Sequence, residues 1–379
     1  MVNVGIICEY NPFHNGHIYH INEVKRLYPD SRIILVMSGN FLQRGDVSLI
    51  NKWDKTRIAL SYGVDLVVEL PFVFATQGAD KFAHGAVEIL NYIGVDKLVF
   101  GSECNDISFL KKMANIQIND VNYDNLVKKY MDDGKNYPTA MSMALKKCGG
   151  SFIDNPNDIL GLCYIKEIIS MNSNIEPICI KRTSDYHSNK LGNICSASAI
   201  RDAIKSGLDI SSFVPDMVND FINNNCFIDN YFSFLKYKII TCDDLSKFVT
   251  VDEGICSRIN KCIHSCNSLD ELINCVKTKR YTYNRVKRAL LHILCDFTDY
   301  ENSLCCDIHY IRVLGFNSIG RSFLNSFKKK CDIPIISNFS SIRDIMLDIE
   351  FRSTCVYSLI FNNGKDIISS EYNNKPIIK

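Results

Sequence analysis

The chain has 379 residues, of which 46% are hydrophobic and 22% are charged, and these values are typical of a globular protein. Its length is too great for one ordinary hydrophobic core and predicts at least two domains. The formal net charge of +1 excludes a wholly basic nucleic-acid-binding protein, so any contact with nucleic acid must come from a local basic patch.

The pattern of the first residues does not predict a targeting signal. No basic segment precedes the first apolar run, which ends at Cys8 before Glu9, so we expect no signal peptide. No apolar run approaches the ~20 residues that a membrane helix needs. We therefore expect a cytoplasmic protein without a membrane anchor.

The 17 cysteines are scattered along the chain and include no CxxC pair. In a reducing compartment such cysteines are expected to be buried thiols. The closest group is Cys256, Cys262, His264 and Cys266, which is an alternative zinc site. We favour buried thiols, because the CxxxC spacing lacks a second pair at a familiar distance.

In chain order, the first hundred residues alternate between short apolar segments and amphipathic ones. The predicted strands are Val2–Cys8, Arg32–Ser38, Val64–Leu70 and Val95–Gly101. The predicted helices between and after them are Gly16–Leu27, Trp53–Gly63 and Ala79–Gly94. This alternation predicts an α/β fold with a doubly wound parallel sheet. In such a fold the ligand lies outside the carboxyl ends of the strands.

The remainder of the chain divides into an insertion, a return of the α/β pattern and a mainly helical part. Residues 106–150 are polar and predict a helical insertion. The α/β pattern resumes with a helix at 155–170, a strand at Glu176–Arg182 and a helix at Ser196–Gly207. We predict a catalytic domain over 1–207 and a mainly helical domain over 208–379, where strand signals fade.

Three histidines follow the first strand in "EYNPFHNGHIYH": His14, His17 and His20. A metal site is one interpretation, but HExxH and a suitably spaced carboxylate are absent. Packed core is a second interpretation. We favour a third, a phosphate site, because Gly16 lets the backbone approach a ligand and the following helix directs its free N–H groups at an anion. Histidines at this position can also stabilise the charge that develops when pyrophosphate leaves.

A second motif, "SASAIR" at Ser196–Arg201, opens a later helix. HxGH after the first strand, followed later by a Ser/Thr-rich helix start, resembles the nucleotidyltransferase superfamily that includes class I aminoacyl-tRNA synthetases. In that superfamily the later loop grips the β- and γ-phosphates, which makes Ser198 and Arg201 candidate donors.

The resemblance is closer to one family. "GIICEYNPFHNGH", "SGNFLQRG" followed by "NKW", "DLVVELPF", "FGSE", "PNDILGLCYIKEI", "KR…YHS", "SASAIR", "YTYNRVKRALLHIL" and "YIRVLGF" together resemble the bacterial tRNA(Met) cytidine acetate ligase family over essentially the whole chain. The sequence departs from that family at Cys8, where alanine is usual, and at "TSDYHS", which replaces a more glycine-rich segment.

The resemblance implies an ATP-dependent ligase with a HIGH-type nucleotidyltransferase fold. It would form acetyl-adenylate from acetate and ATP and transfer the acetyl group to N4 of the wobble cytidine of elongator tRNA(Met). Magnesium would accompany ATP, although no dedicated carboxylate site for a metal is visible in the sequence. The resemblance implies no obligate protein partner.

The resemblance also implies the ligand-binding residues. His14 and His17 would be catalytic. ATP would contact Gly101, Asn157, Arg182 and the whole first turn, which comprises Ile7, Cys8, Glu9, Tyr10, Asn11, Pro12, Phe13, His14, Asn15, Gly16, His17, Ile18, Tyr19 and His20.

Several of these positions have plainer alternatives. Gly101 could be a turn glycine, Asn157 a helix cap and Arg182 a surface arginine. Arg44, Lys52 and Lys55 could attract the triphosphate or form a solvated basic face.

A local basic patch could supply the tRNA contact that the net charge does not. The segment 277–288 is free of acidic residues and contains Lys277, Lys279, Arg280, Arg285, Lys287 and Arg288, interleaved with Tyr281 and Tyr283. Basic residues can hold phosphates and tyrosines can stack on unpaired bases. Lys328–Lys330 could extend the patch, and a solvated helix face is the alternative. The alternative enzyme function is an adenylyltransferase that makes a small nucleotide cofactor, and a nucleotide-switched RNA-binding protein is a third hypothesis.

Overall fold

The computed structural model describes residues 1–182, 195–222 and 226–379. Within these ranges the centre of the molecule is one sheet of eight strands. In chain order the strands are β1 (Asn3–Cys8), β2 (Arg32–Ser38), β3 (Leu66–Leu70), β4 (Lys97–Ser102), β5 (Glu176–Lys181), β6 (Ile311–Phe316), β7 (Ile335–Ile336) and β8 (Ile377–Ile378). The first five agree with the predicted strands to within two residues at either end.

The strand order is β5-β4-β1-β2-β3-β6-β7, with β8 beside β6. Strands β1 to β5 are mutually parallel. The chain runs outward from β1 to β2 and β3, and then returns to place β4 on the other side of β1. The order of the strands therefore reverses between β1 and β4, which is where a doubly wound sheet opens its ligand crevice. The predicted α/β fold is confirmed.

The helices up to the second motif are α1 (Asn15–Leu27), α2 (Lys52–Ser61), α3 (Phe72–Ala75), α4 (Ala79–Ile93), α5 (Ile107–Asn119), α6 (Tyr123–Asp132), α7 (Tyr137–Lys147), α8 (Pro156–Ser170) and α9 (Ala197–Lys205). Helices α5 to α7 form the predicted helical insertion between β4 and α8.

The later helices are α10 (Asp216–Asn219), α11 (Phe232–Thr241), α12 (Glu253–Cys262), α13 (Leu269–Val276), α14 (Tyr283–Leu294), α15 (Asp299–Leu304), α16 (Ser318–Phe327), α17 (Ile345–Ser358) and α18 (Gly364–Asn373), with 3-10 turns at Ile228–Tyr231 and Phe339–Ser341. Among the described helices, none combines the length and the apolar character that crossing a membrane requires.

Both faces of the sheet are covered. On β2, Ile34 and Val36 belong to one apolar cluster, whereas Leu35 and Met37 belong to another. Successive residues of a strand point to opposite faces, so helices pack on both sides of the sheet. This burial explains why the strands are continuous Val/Ile/Leu runs rather than alternating ones.

The part of the chain after residue 208 also contributes strands, which the sequence analysis did not predict. Strand β6 lies antiparallel beside β3, with Val67 opposite Gly315, and β7 and β8 extend the sheet from β6. Strand β6 is short and contains Arg312 among buried apolar residues, so its sequence does not read as a central strand. The domain boundary near 207 stays a prediction.

A buried charge cluster joins this part to the N-terminal sheet. Lys52 Nζ donates to Glu69, Glu350 and Glu371 at 2.6, 3.0 and 2.8 Å. Arg312 pairs with Glu69 at 3.1 Å and also with Glu371. The five residues come from α2, β3, β6, α17 and α18. Because buried charges require partners, the cluster ties distant segments into one structure.

The expectation that all cysteines are thiols is wrong at one pair. Cys262 and Cys275 form a disulfide between α12 and α13. The alternative zinc site at 256–266 loses Cys262 as a ligand, because a disulfide sulfur is not a thiolate. The other cysteines that the structure describes are thiols.

Candidate active site

A cavity of about 850 Å³ opens at the carboxyl ends of β1, β4 and β5. Its wall includes His14, His17, Gly101, Arg182 and Ser198. The structure therefore brings together motifs that lie far apart in the sequence. This is the crevice that the strand order dictates.

The turn between β1 and α1 is fixed from behind by Asn11. Its buried side chain donates to the carbonyl oxygen of Val47 at 3.2 Å and accepts from the N–H of Leu49 at 2.8 Å. Tyr10 has a φ of 49°, a backbone conformation that only a well-supported turn retains for a bulky residue. The turn thus holds its shape before any ligand arrives.

His14 and His17 cap helix α1 with their side chains. His14 Nδ1 accepts from the N–H of Gly16 at 3.0 Å, and His17 Nδ1 accepts from the N–H of His14 at 3.2 Å. A neutral imidazole has one donor and one acceptor nitrogen. Since both Nδ1 atoms accept, each ring carries its proton on Nε2, which remains available as a donor to a ligand.

Burial keeps these rings neutral. It lowers the pKa of His14 from 6.5 to about 3, with Arg182 and Arg201 adding to the effect. Burial likewise lowers the pKa of His17 well below its ordinary value, and lowers that of His20 to about 4. At neutral pH the histidines are hydrogen-bond donors without charge, which suits phosphate binding.

The metal-site interpretation finds no support in the described ranges. Two groups there bring three or more possible metal ligands together, and they consist of His84, Glu88 and Asp307, and of Glu69, Glu350 and Glu371. Neither group includes the histidines of the first turn.

Arg182 follows β5 directly and lies against Gly101 at the end of β4. A Cβ atom on Gly101 would lie 3.3 Å from Arg182 Cγ. The Nε of Arg182 is buried and has no hydrogen-bond partner among the described residues. Burial lowers the pKa of Arg182. Arg182 is therefore a half-buried cation in the cavity wall rather than a freely solvated surface arginine, and an anion could pair with it there.

Asn157 is not the cap of α8, since Asn155 occupies that position. Asn157 Nδ2 instead donates to Glu103 Oε1 at 2.5 Å. Asp158 accepts from Ser102 Oγ at 2.5 Å and from the N–H of Glu103 at 3.0 Å. These contacts fix the end of β4 against the start of α8.

The second motif also lies in the cavity wall. Ser196 caps α9 by accepting from the N–H of Ala199 at 3.2 Å, and its Oγ is 3.0 Å from Ser198 Oγ. Arg201 donates to the carbonyl oxygen of Asn11 at 2.8 Å. The positive end of α9 and the first turn therefore bound the same space.

Both interpretations of Lys52 and Lys55 are wrong, because each side chain is fully buried and neither lines the cavity. Lys52 belongs to the buried charge cluster. Lys55 Nζ donates to the carbonyl oxygens of Glu9, Ser38 and Gly39 at 3.0, 2.8 and 2.8 Å. These bonds hold the ends of β1 and β2 together outside the cavity lining. Arg44, by contrast, lines the cavity.

The basic segment 277–288 reaches the same cavity through Arg280, Arg285 and Arg288. Tyr281 is only 8% exposed and its hydroxyl donates to Asp252 at 3.0 Å. Base stacking on Tyr281 is therefore excluded. The hydroxyl of Tyr283 donates to Asp270 at 2.6 Å.

Of the first turn, Pro12, Phe13, Asn15 and Ile18 do not line the cavity. Phe13 is buried in the core, and the side chain of Asn15 donates to the carbonyl oxygen of Ser212 at 3.0 Å. The segment "TSDYHS", residues 183–188, lies outside the described residues.

Sequence reasoning gave Glu103 and Asp158 no individual role, and it named Arg288 only as part of the basic segment 277–288. The "FGSE" and "PNDILG" motifs contain Glu103 and Asp158, and their position after β4 and at the start of α8 was the available signal. No pattern in the sequence indicated that Arg288 faces the nucleotide motifs.

Comparison with known proteins gives one consistent result. Residues 1–371 match the family model described as HIGH Nucleotidyl Transferase. The chain is 38% identical over 396 residues to the tRNA(Met) cytidine acetate ligase of Caldicellulosiruptor saccharolyticus, covering 100% of this chain and 98% of the relative. It is 39% identical over 398 residues to that of Clostridium perfringens, covering 99% and 98%.

Comparison with solved structures gives the same family. The fold superposes on apo Thermotoga maritima TmcAL with a TM-score of 0.92 at 31% identity, covering 100% of this chain and 99% of the other. The TM-score is 0.89, with the same identity and coverage, for Thermotoga maritima TmcAL bound with alpha-thio ATP. On this similarity over its full length, the chain belongs to the tRNA(Met) cytidine acetate ligase family of HIGH nucleotidyl transferases.

Proposed function

We propose that this protein is an ATP-dependent tRNA(Met) cytidine acetate ligase. It activates acetate as acetyl-adenylate and transfers the acetyl group to N4 of the wobble cytidine of elongator tRNA(Met). The observation that carries the proposal is the pair of neutral histidines, His14 and His17, whose Nδ1 atoms are engaged by backbone N–H groups in the wall of the cavity. The names of the relatives give the substrate.

ATP binds along the first turn, between Ile7 and His20, through those residues of the turn that line the cavity, with further contacts from Gly101, Asn157 and Arg182. Support comes from the relative that was solved with alpha-thio ATP and from the place of these elements at one sheet edge. Arg182 supplies a half-buried cation for the phosphates, and Ser198 with the start of α9 supplies further donors.

In the first step a carboxylate oxygen of acetate attacks the α-phosphorus of ATP, and the bond to the pyrophosphate oxygen breaks. The products are acetyl-adenylate and pyrophosphate. The Nε2–H groups of His14 and His17 donate to oxygens that gain negative charge in the transition state. Neutral donors that are already oriented stabilise that charge without reorganising, which is the main catalytic effect in phosphoryl and nucleotidyl transfer.

In the second step the N4 amine of the cytidine attacks the acetyl carbonyl carbon, AMP leaves and the amine loses one proton. The RNA reaches the cavity across α14, whose start lines it, and the exposed Lys277 and Lys279 contact the RNA backbone. N4-acetylcytidine is the product.

Magnesium would accompany ATP and shield the charge of its phosphates. The carboxylates that line the cavity in the described structure have partners, since Glu9 accepts from Gln43, Asp46 pairs with Lys287 and Asp80 pairs with Lys166. They do not form a metal site within the described residues.

The expected organisation is a catalytic domain at 1–207 and a tRNA-binding part at 208–379. The protein is expected in the cytoplasm, where its tRNA substrate is found, and to act without an obligate protein partner.

The test is to incubate the protein with ATP and labelled acetate, with and without elongator tRNA(Met). Label should enter the RNA only when ATP is present, and not when the wobble cytidine is replaced by uridine. Exchange of pyrophosphate into ATP that does not depend on acetate would favour the adenylyltransferase alternative. ATP binding without pyrophosphate release would favour the nucleotide-switch alternative.

A further inference from the structure

One wall of the cavity is the start of helix α14. Thr282 caps this helix by accepting from the N–H of Arg285 at 3.4 Å. Asn284, Arg285 and Arg288 all line the cavity. Positions 284, 285 and 288 share one helix face, so α14 presents this face to the reaction space.

The loop after β2 fixes the position of the start of α14 relative to the first turn. Gly45 has a φ of +72°, and a Cβ atom there would lie 2.6 Å from the backbone nitrogen of Arg288. The neighbouring Gln43 donates its N–H to Glu9 at 2.7 Å. Lys287 pairs with Asp46 at 3.1 Å. The close approach at Gly45 and these bonds fix where the side chain of Arg288 begins.

Arg288 differs from the other basic residues of α14. Lys287 pairs with Asp46, and Arg285 pairs with Asp252 at 2.8 Å. For Arg288, the described residues offer no carboxylate partner, only a long contact of 3.4 Å to the carbonyl oxygen of Gln43. Its Nε is buried and unpaired. The side chain of Arg288 as a whole is half-buried. A partly desolvated guanidinium without a counter-ion is costly, and a bound anion would provide the missing negative charge.

Arg288 and Arg182 have different surroundings. Arg182 is a cation that depresses the pKa values of His14, His17 and His20. Burial first, and then Arg285, lowers the pKa of Arg288 to about 10, so it remains charged at neutral pH. Arg182 lies against Gly101 at the end of β4, whereas Arg288 lies against Gly45 in the loop after β2. Because β4 and β2 lie on opposite sides of β1, the two arginines belong to different sections of the cavity wall.

We propose that Arg288 binds a phosphate group of a substrate, at a subsite separate from that of Arg182. The phosphate is either a phosphodiester of the RNA beside the target cytidine or the outer part of the ATP triphosphate. The proposal rests on the proposed function for the identity of these substrates.

The experiment compares Arg288→Gln and Arg288→Lys with the unmodified protein and with Arg258→Gln. Arg258 is a suitable control because its guanidinium donates to the carbonyl oxygens of Val276 and Cys275 at 2.7 and 2.8 Å and does not line the cavity. Two steps are measured separately, acetate-dependent pyrophosphate release without RNA and acetyl transfer to tRNA(Met).

Arg288→Gln should raise one KM by about ten- to hundredfold, which is the effect of losing a charged hydrogen bond. A rise in the KM for tRNA alone identifies the RNA phosphate, and the slope of log KM against log salt then falls by about 1. A rise in the KM for ATP in the reaction without RNA identifies the triphosphate. Arg288→Lys should retain part of the binding in either case.

A purely structural role for Arg288 predicts the opposite pattern. The melting temperature of Arg288→Gln would fall as it does for Arg258→Gln, and both KM values would stay unchanged. That outcome, or normal KM values in the folded Arg288→Lys variant together with a misfolded Arg288→Gln, overturns the proposal. If the unmodified protein acetylates no RNA, the proposed function has failed, and equilibrium binding of ATP and tRNA to the same variants still tests Arg288.

Discussion

The imidazole of His17 accepts a hydrogen bond from the backbone N–H of His14 at 3.2 Å, and the two ring centroids are 3.8 Å apart. His14 in turn accepts from Gly16. Each ring therefore has one nitrogen devoted to the helix start and one left for a ligand. Structural and catalytic roles are divided between Nδ1 and Nε2 of the same side chain.

This division can be tested with His14→Asn. Asparagine is a good helix cap and can replace Nδ1 as the acceptor, but it has no donor at the position of Nε2. We expect the melting temperature to change little and the rate of acetate-dependent pyrophosphate release to fall by about 10²–10³, as for the loss of one oriented donor. A normal rate in this variant would show that Nε2 of His14 is not used.

The depressed pKa values predict how stability depends on pH. The folded protein holds His14 with a pKa of about 3 and His20 with a pKa of about 4, against 6.5 for an ordinary histidine. Below pH 6.5 the unfolded chain therefore binds protons that the folded chain does not, and the free energy of unfolding decreases as pH falls toward 4. Denaturant titrations at several pH values measure this loss.

The control for this pH prediction is His14→Asn, because asparagine does not titrate. Its free energy of unfolding should decline less steeply between pH 6.5 and 4 than that of the unmodified protein. Equal slopes would mean that His14 titrates normally in the folded state. Since the histidines stay neutral above pH 5, kcat for adenylate formation should show no histidine inflection between pH 6 and 8.

The buried charge cluster predicts that Lys52 is structural. Among the described residues, Lys52→Met leaves Glu69, Glu350 and Glu371 with Arg312 as their only cation, so the free energy of unfolding should fall by about 3–5 kcal/mol. The KM for ATP of the folded fraction should not change, because Lys52 does not line the cavity.

Lys81→Met is the matched control, since Lys81 is an exposed residue of helix α4. It should change the free energy of unfolding by less than about 0.5 kcal/mol. A raised KM for ATP in Lys52→Met, without loss of stability, would contradict the structural role.

The contact between Gly101 and Arg182 predicts a steric effect on ATP binding. Gly101→Val introduces a branched side chain whose Cβ atom would already lie 3.3 Å from Arg182 Cγ, so Arg182 must move. The KM for ATP should rise by about tenfold, which corresponds to about 1.4 kcal/mol. Gly101→Ala should have a smaller effect in the same direction. Equal KM values for all three proteins would show that the space beside Arg182 is not part of the ATP site.

The sequence was sufficient to predict those strands and helices whose pattern of apolar residues depends only on neighbouring positions in the chain. Strand Arg32–Ser38 was predicted with the bounds that the structure has, because a continuous apolar run between turn residues specifies a buried parallel strand without further information. The convergence of His14, Gly101 and Arg182 followed from the strand order, since carboxyl ends of parallel strands meet at one edge.

Features that depend on distant partners could not be predicted. Lys52 looked like a surface or phosphate-binding lysine because its acidic partners Glu350 and Glu371 lie in the last two helices. Strand β6 was missed for the same reason, since Arg312 is tolerated in the core only by virtue of Glu69 and Glu371. The proton positions of His14 and His17 required the geometry of the helix start.

The pairing of β6 with β3 has a consequence for biosynthesis. A ribosome delivers the N-terminal half first. Glu69 on β3 precedes its partner Arg312 on β6 by 243 residues, so the edge of β3 and the pair of Lys52 with Glu69 lack these partners until most of the chain has been made. An open strand edge in a nascent chain invites aggregation. Chains stalled before residue 311 should therefore be held by chaperones or cut by proteases, and release should coincide with emergence of the last helix.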